Sequence, residues 1–92
     1  MKYRKLGNTG LEVSEVAFGA EFLVERPYED AEELIRICEA NGINFLDCWM
    51  SEPGVRSNLG QAIKDTRERW VIQGHIGSTW QNEQYLWTCE MD

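Results

Sequence analysis

Gly42-Ile43-Asn44-Phe45-Leu46-Asp47 is the stretch whose reading decides the fold. It is a short, mainly apolar run that ends in a carboxylate, set between two segments with helical spacing. Ahead of it, Ala31, Leu34, Ile35 and Cys38 recur at i, i+3, i+4 and i+7, so one helix face is apolar. Behind it, Val55, Leu59, Ala62 and Ile63 repeat that kind of spacing and predict a second helix from about residue 55 to 65. A strand between two helices reads as a member of a parallel sheet, with Asp47 at its C-terminal tip. In α/β folds the loops beyond such tips carry the chemistry.

The neighbouring segments extend the pattern in both directions. Near the start, Tyr3–Leu6 and Leu11–Ser14 flank Gly7-Asn8-Thr9-Gly10, a β-hairpin signal, because Gly and Asn tolerate the positive φ of such turns. Val16-Ala17-Phe18-Gly19-Ala20 is a nearly all-apolar run that suits a strand buried on both faces. Pro27 and the acidic Glu29, Asp30, Glu32 and Glu33 suit the positive end of the first helix, and Asn41-Gly42 stops it. Pro53-Gly54 marks a loop, and Lys64, Arg67 and Arg69 fall at or beyond the end of the second helix. Trp70-Val71-Ile72-Gln73 reads as a third strand. Right-handed crossovers would make the three strands parallel neighbours. Beyond Gly74 the pattern dissolves: residues 75–80 look like a loop, and Gln81–Cys89 has no clear period and reads as coil or a short frayed helix. The expectation is a single incomplete domain over residues 1–92, with a hairpin at 3–14, βαβαβ at 16–75 and an irregular tail at 76–92.

Bulk composition narrows the function classes. The chain has 92 residues, 42% hydrophobic and 27% charged, which is ordinary for one small globular domain. A net charge of −7 argues against nucleic-acid binding, which needs clustered Lys and Arg to displace counterions. Lys2, Arg4 and Lys5 form the one basic cluster, and an exposed strand face accounts for it. Cys38, Cys48 and Cys89 make no CxxC and no zinc spacing, so no metal site is expected and the thiols read as reduced, in the cytoplasm. Cys38 reads as a helix core residue. Cys48, beside Asp47, reads as strand-end packing, with a reactive thiol as the alternative. No apolar run approaches the length of about 20 residues needed to span a membrane, and no signal core opens the chain.

Taken in order, these motifs resemble the amino-terminal portion of the aldo-keto reductases, from residue 1 to about residue 85. Met1-Lys-Tyr-Arg-Lys-Leu-Gly-Asn-Thr-Gly-Leu-Glu-Val-Ser14 is similar to the hairpin that closes the bottom of that family's barrel. Val16-Ala-Phe-Gly-Ala20 is similar to its first barrel strand, Ala40-Asn-Gly-Ile-Asn-Phe-Leu-Asp47 to the second, and Asn58-Leu-Gly-Gln-Ala-Ile63 to the second helix. Singly the motifs are weak; their order and spacing carry the resemblance. It implies an α/β fold class: a truncated (β/α)₈ TIM-barrel-like segment, the amino-terminal hairpin followed by βαβαβ. It also implies reduction of a small-molecule carbonyl substrate with NADP or NAD as cofactor, with Gly19, Ala20 and Asp47 on the cofactor side.

The family's active site is built on an Asp, a Tyr, a Lys and a His, and Asp47 matches the Asp. The Tyr is expected where this chain has Glu52, and the Lys where it has His75. The fourth member belongs to a later strand. The resemblance therefore makes Asp47, His75 and Glu52 the catalytic candidates; a Glu in a Pro/Gly loop also reads as a solvated charge. Alternation predicts that Asp47 shares a sheet face with Ile43 and Phe45, and His75 with Gln73 and Val71, while Trp70 and Ile72 pack on the helices. An Asp47–His75 contact at the barrel mouth follows.

A complete barrel takes about 250 residues and leaves no strand edge unpaired. Three strands leave two open edges, so self-association through those edges is expected. In the family much of the cofactor pocket comes from later strands and loops, so the resemblance implies no turnover by this chain alone. A non-catalytic module, completed by a second copy or a partner and carrying a vestigial site, is the alternative.

Overall fold

The computed structural model describes residues 1–89. The chain opens with strands β1 (Tyr3–Lys5) and β2 (Glu12–Ser14), paired antiparallel. The predicted turn is present, with Gly7 and Gly10 both at positive φ. This hairpin is tied to the rest of the chain at two points. The Tyr3 hydroxyl donates to the Gly42 carbonyl at 2.6 Å. The Asn44 side chain accepts from the Ser14 amide at 2.8 Å and donates to the Glu12 carbonyl at 3.0 Å.

Three strands then pair in parallel in the order β3 (Phe18–Gly19), β4 (Phe45–Cys48) and β5 (Val71–Gly74). Helix α1 (Tyr28–Ala40) connects the first two and α2 (Pro53–Ala62) the last two. The register places Phe18 beside Leu46 and Leu46 beside Ile72, and likewise Gly19 beside Asp47 and Asp47 beside Gln73. Paired residues share a face, so one side of the sheet presents Phe18, Leu46 and Ile72, and the other Gly19, Asp47 and Gln73.

The core lies between the first of these faces and the helices. Leu46 and Trp70 pack with Ala31, Ile35 and Cys38 of α1 and with Val55, Leu59 and Ala62 of α2. Ile35, Leu46 and Val55 are the largest fully buried side chains, each worth about 1.5–3 kcal/mol in transfer from water. Leu34, the remaining member of the predicted apolar stripe, sits on its exposed flank. Helix α1 ends where expected: Asn41 donates to backbone carbonyls of the last turn, and Gly42 follows at φ +76°.

Beneath α1 lies a buried carboxylate that the pattern of apolar residues did not reveal. Glu39, with its side chain 10% exposed, accepts from Thr66 Oγ1 at 2.7 Å, Trp70 Nε1 at 3.0 Å and Arg36 Nη1 at 2.8 Å. Arg36 also donates to the Ala62 carbonyl. One carboxylate thus joins α1 to the segment between α2 and β5, and Arg36 adds the end of α2. Burial works to raise the Glu39 pKa, and the three hydrogen bonds with the Arg36 charge outweigh it, leaving the carboxyl below its ordinary value.

Several expectations need correction. The run 16–20 is not buried on both faces: Val16 is exposed, Gly19 is open, and only Phe18–Gly19 pair as strand. Ile43 packs against the helix-side cluster rather than sharing the face of Asp47. At 43 the chain is still closing the helix, its amide donating to the Cys38 carbonyl, and strand alternation begins only at Phe45. Ile72 has the predicted facing but is 37% exposed, whereas Trp70 on the same face is buried. The tail is not irregular. Residues 78–87 form an antiparallel hairpin, β6 (Ser78–Gln81) and β7 (Gln84–Trp87). Its turn residues Asn82 and Glu83 have φ +52° and +61°, as in a type I′ turn. The rest of the predicted tail, residues 90–92, lies outside the described residues.

Candidate active site

The parallel register determines what meets at the C-terminal ends of the strands. Asp47 is the third residue of β4 and lies beside Gly19 on one flank and Gln73 on the other. His75 follows β5 directly, two residues past Gln73, and so returns to the same face. Its Nε2 lies 2.7 Å from Asp47 Oδ1, the contact expected from alternation. The two side chains are 30% and 39% exposed, so the pair is open to solvent and to a ligand.

Asp47 as carboxylate can only accept, so His75 Nε2 carries the proton between them. That fixes the tautomer of the neutral ring and leaves Nδ1 as its free acceptor. The Gln73 amide group reaches the same Nε2 at 3.4 Å. With Nε2 already a donor, that contact is favourable only when the amide turns its oxygen toward the ring.

Gly19, Ala20 and Asp47, the three cofactor-side candidates, line one cleft of about 250 Å³ together with Glu21, Phe22 and Trp49. Ala20 is drawn in by its amide, which donates to the Asp47 carbonyl at 3.3 Å. Ligand pockets for drug-sized molecules run to about 300–1,000 Å³. The cleft therefore suits a single ring. The charged residues lining it are Glu21 and Asp47, both acidic, and neither matches the diphosphate of a nicotinamide dinucleotide. The residues present fit the ring end of such a cofactor and not its anionic middle.

Glu52 is placed differently. Its two carboxylate oxygens accept from the amides of Gly54 and Val55, each at 2.8 Å, capping α2 with Pro53 in the first turn. The structure gives it this helix-capping role and does not bring it into hydrogen-bond contact with Asp47 or His75. Cys48 faces the core side, and burial is the main influence pushing its thiol above the ordinary value, only partly opposed by Arg56. That favours the packing reading over a reactive thiolate. Among the described residues there is no cluster able to hold a metal ion and no helix long and apolar enough to cross a membrane.

What sequence reasoning missed is the aromatic support. Trp49, two residues past Asp47, stacks on Tyr85 of β7 with centroids 4.9 Å apart. The signal was present in the tail, where Trp80, Tyr85 and Trp87 cluster. Its Asn-Glu turn lacks the glycine that usually marks a hairpin.

No protein-family model matches the chain. Among curated proteins it is similar to probable β subunits of voltage-gated potassium channels from Arabidopsis thaliana and Oryza sativa subsp. japonica. Each is 33% identical over 69 residues, spanning 71% of this chain and 21% of the relative. Among solved structures it is similar to two from Pseudomonas aeruginosa assigned to the aldo-keto reductases, each 27% identical over 94% of this chain. Their TM-scores are 0.81 and 0.78, and the chain covers 35% and 34% of them. The likeness to aldo-keto reductases is thus one of sequence and of fold. The chain spans about a fifth of the length of the curated relatives it matches and about a third of the solved structures.

Proposed function

We propose that this chain supplies the amino-terminal, Asp47-bearing part of an oxidoreductase of aldo-keto reductase type, a cytoplasmic enzyme whose barrel is completed by further strands. The single observation that carries this reading is the 2.7 Å Asp47–His75 pair, standing at the C-terminal ends of adjacent parallel strands. A bound NADPH or NADH would supply the hydride for reduction of an aldehyde or ketone. The protein's part is to place a proton on the carbonyl oxygen as it gains charge. Asp47 holds the imidazole by its Nε2 proton, and a ring protonated on both nitrogens has a second proton to give from Nδ1. His75 in this role stands where the family has a Lys, and no tyrosine occupies the position of Glu52.

By itself the chain is expected to turn over no substrate, because the cleft offers nothing cationic for the cofactor's diphosphate. The test is a chimera in which residues 1–89 replace the matching part of the Pseudomonas aeruginosa protein. Carbonyl-dependent NADPH oxidation is expected from the chimera and not from the isolated chain. Asp47→Asn and His75→Leu should each lower it by about 10²–10⁴, the range for loss of a positioned acid–base group. Turnover indifferent to both substitutions refutes the reading. A non-catalytic module with a vestigial site is the second reading, favoured by the open strand edges.

A further inference from the structure

We propose that the groove between α1 and the short 3₁₀ turn at Glu21–Leu23 is the docking site of a cationic amphipathic helix, held by apolar contacts along the groove and by unpaired carboxylates of α1. The inference rests on the reading that further polypeptide completes the barrel, and it adds the chemistry by which that polypeptide docks.

Three observations carry it. The groove, of about 430 Å³, is lined by Phe18 of β3, Phe22 of the turn and Leu34 of α1, so it lies beside α1 over the outer strand of the sheet. Second, the apolar lining continues along one stripe of α1: Leu34 is followed three residues later by Ile37, 51% exposed. With 13 residues, α1 gives a neighbour about 20 Å of helix to lie against. Third, the rim is acidic. Arg26 is matched by Asp30 at 3.8 Å and Arg36 by Glu39 at 2.8 Å. Glu29 and Glu33, both exposed, have no cationic partner among the described residues.

Layer spacing makes the occupant a helix. Packed helices lie about 8–10 Å apart, roughly two strand spacings of about 4.8 Å, so the next element of the helix layer falls beyond β3, where the sheet ends. A strand added to β3 would extend the sheet and leave the groove uncovered. Charge sets the character of that helix. A second copy would bring another acidic α1 in a chain of net charge −7, and like charges across an interface repel. Lys or Arg flanking an apolar stripe satisfies Glu29 and Glu33 while the stripe covers Phe18, Leu34 and Ile37.

The experiment titrates the 92-residue chain, methyl-labelled at Leu and Ile, with peptides of about 14 residues, matched to the length of α1. One peptide carries Leu at helical spacing and Lys elsewhere; the second has Glu in place of Lys; the third has the Lys peptide's composition in scrambled order. The Trp70 indole, bonded to Glu39, reports in each variant that the fold is kept. The amphipathic Lys peptide is expected to shift the Leu34 and Ile37 methyl signals and to bind about tenfold more tightly than either control. Glu29→Lys/Glu33→Lys and Leu34→Gln should each weaken it about tenfold. Glu12→Lys/Glu68→Lys, the same change of net charge away from the groove, should leave it unchanged. Equal binding of the ordered and scrambled Lys peptides overturns the proposal, because charge alone then suffices, as does an equal loss in Glu12→Lys/Glu68→Lys. Leu34 and Ile37 signals that move on concentrating the chain without peptide also overturn it, giving the groove to a second copy. Peptide binding is read without turnover and without Asp47. A working chimera with no peptide binding therefore sinks this inference alone.

Discussion

At the scale of single residues, Glu39 and Gly42 show how much of this small structure hangs on individual groups. Glu39 gathers Thr66, Trp70 and Arg36 around one carboxylate. Its folded pKa is below the unfolded value, so its contribution is complete above the ordinary carboxylate range and is lost as pH falls through the folded value. Glu39→Gln should cost about 1.5–3 kcal/mol near neutral pH, the range for hydrogen bonds to a charged group. The gap between the variant and the parent should narrow on acidification, as read from urea midpoints across a pH series. Gly42 is constrained by φ +76° and by its neighbours: a Cβ there would lie 2.7 Å from the Tyr3 hydroxyl and 3.2 Å from Met1 Cβ. Gly42→Ala should destabilise by more than about 1 kcal/mol. In a double-mutant cycle against Tyr3→Phe, which itself loses the hydrogen bond to the Gly42 carbonyl, the steric cost from the hydroxyl should disappear and the backbone part remain.

Among the elements, α2 illustrates how one residue can match a catalytic position by resemblance and serve another purpose by geometry. Glu52 caps the helix through Gly54 and Val55, and Pro53 suits the first turn because its missing N–H needs no partner. Glu52→Ala should lower stability by about 1 kcal/mol, the usual cost of a lost cap, with α2 amides exchanging faster in hydrogen-exchange measurements. In the chimera the same substitution should leave the Asp47-dependent turnover far less affected than Asp47→Asn does. The hairpin at 78–87 teaches the opposite lesson. Its strands carry β-prone aromatics, yet its turn places a glutamate at positive φ, a conformation that glycine would take more readily. A reader looking for Asn-Gly passes over it.

For the molecule as a whole, the open sheet is the dominant fact. The Cα radius of gyration is 14.0 Å, against about 12 Å for a closed domain of this length. Strands β3 and β5 have unpaired outer edges in the described sheet, and Val16, Phe22, Ile72 and Ile76 are exposed. Free edges and bare apolar side chains favour association. The isolated chain should therefore show an apparent mass that rises with concentration in light scattering, and Phe22→Ser should reduce the rise. A chain that stays monomeric across the whole dilution series removes the case for self-assembly.

Local pattern determined the two helices, the glycine-rich first turn, the three strands and the placing of Asp47 at a strand tip, because periodicity and turn chemistry act within a few residues. The facing of Asp47 and His75 was also legible, since alternation along paired strands follows from the pleat. Other features waited on the tertiary structure. The Glu39 network, the cap formed by Glu52, the exposure of Ile72 and the Trp49–Tyr85 stack depend on which surfaces the packed chain covers. A side chain's partners across a core, and the solvent it keeps or loses, are consequences of that packing and leave no periodic trace along the chain.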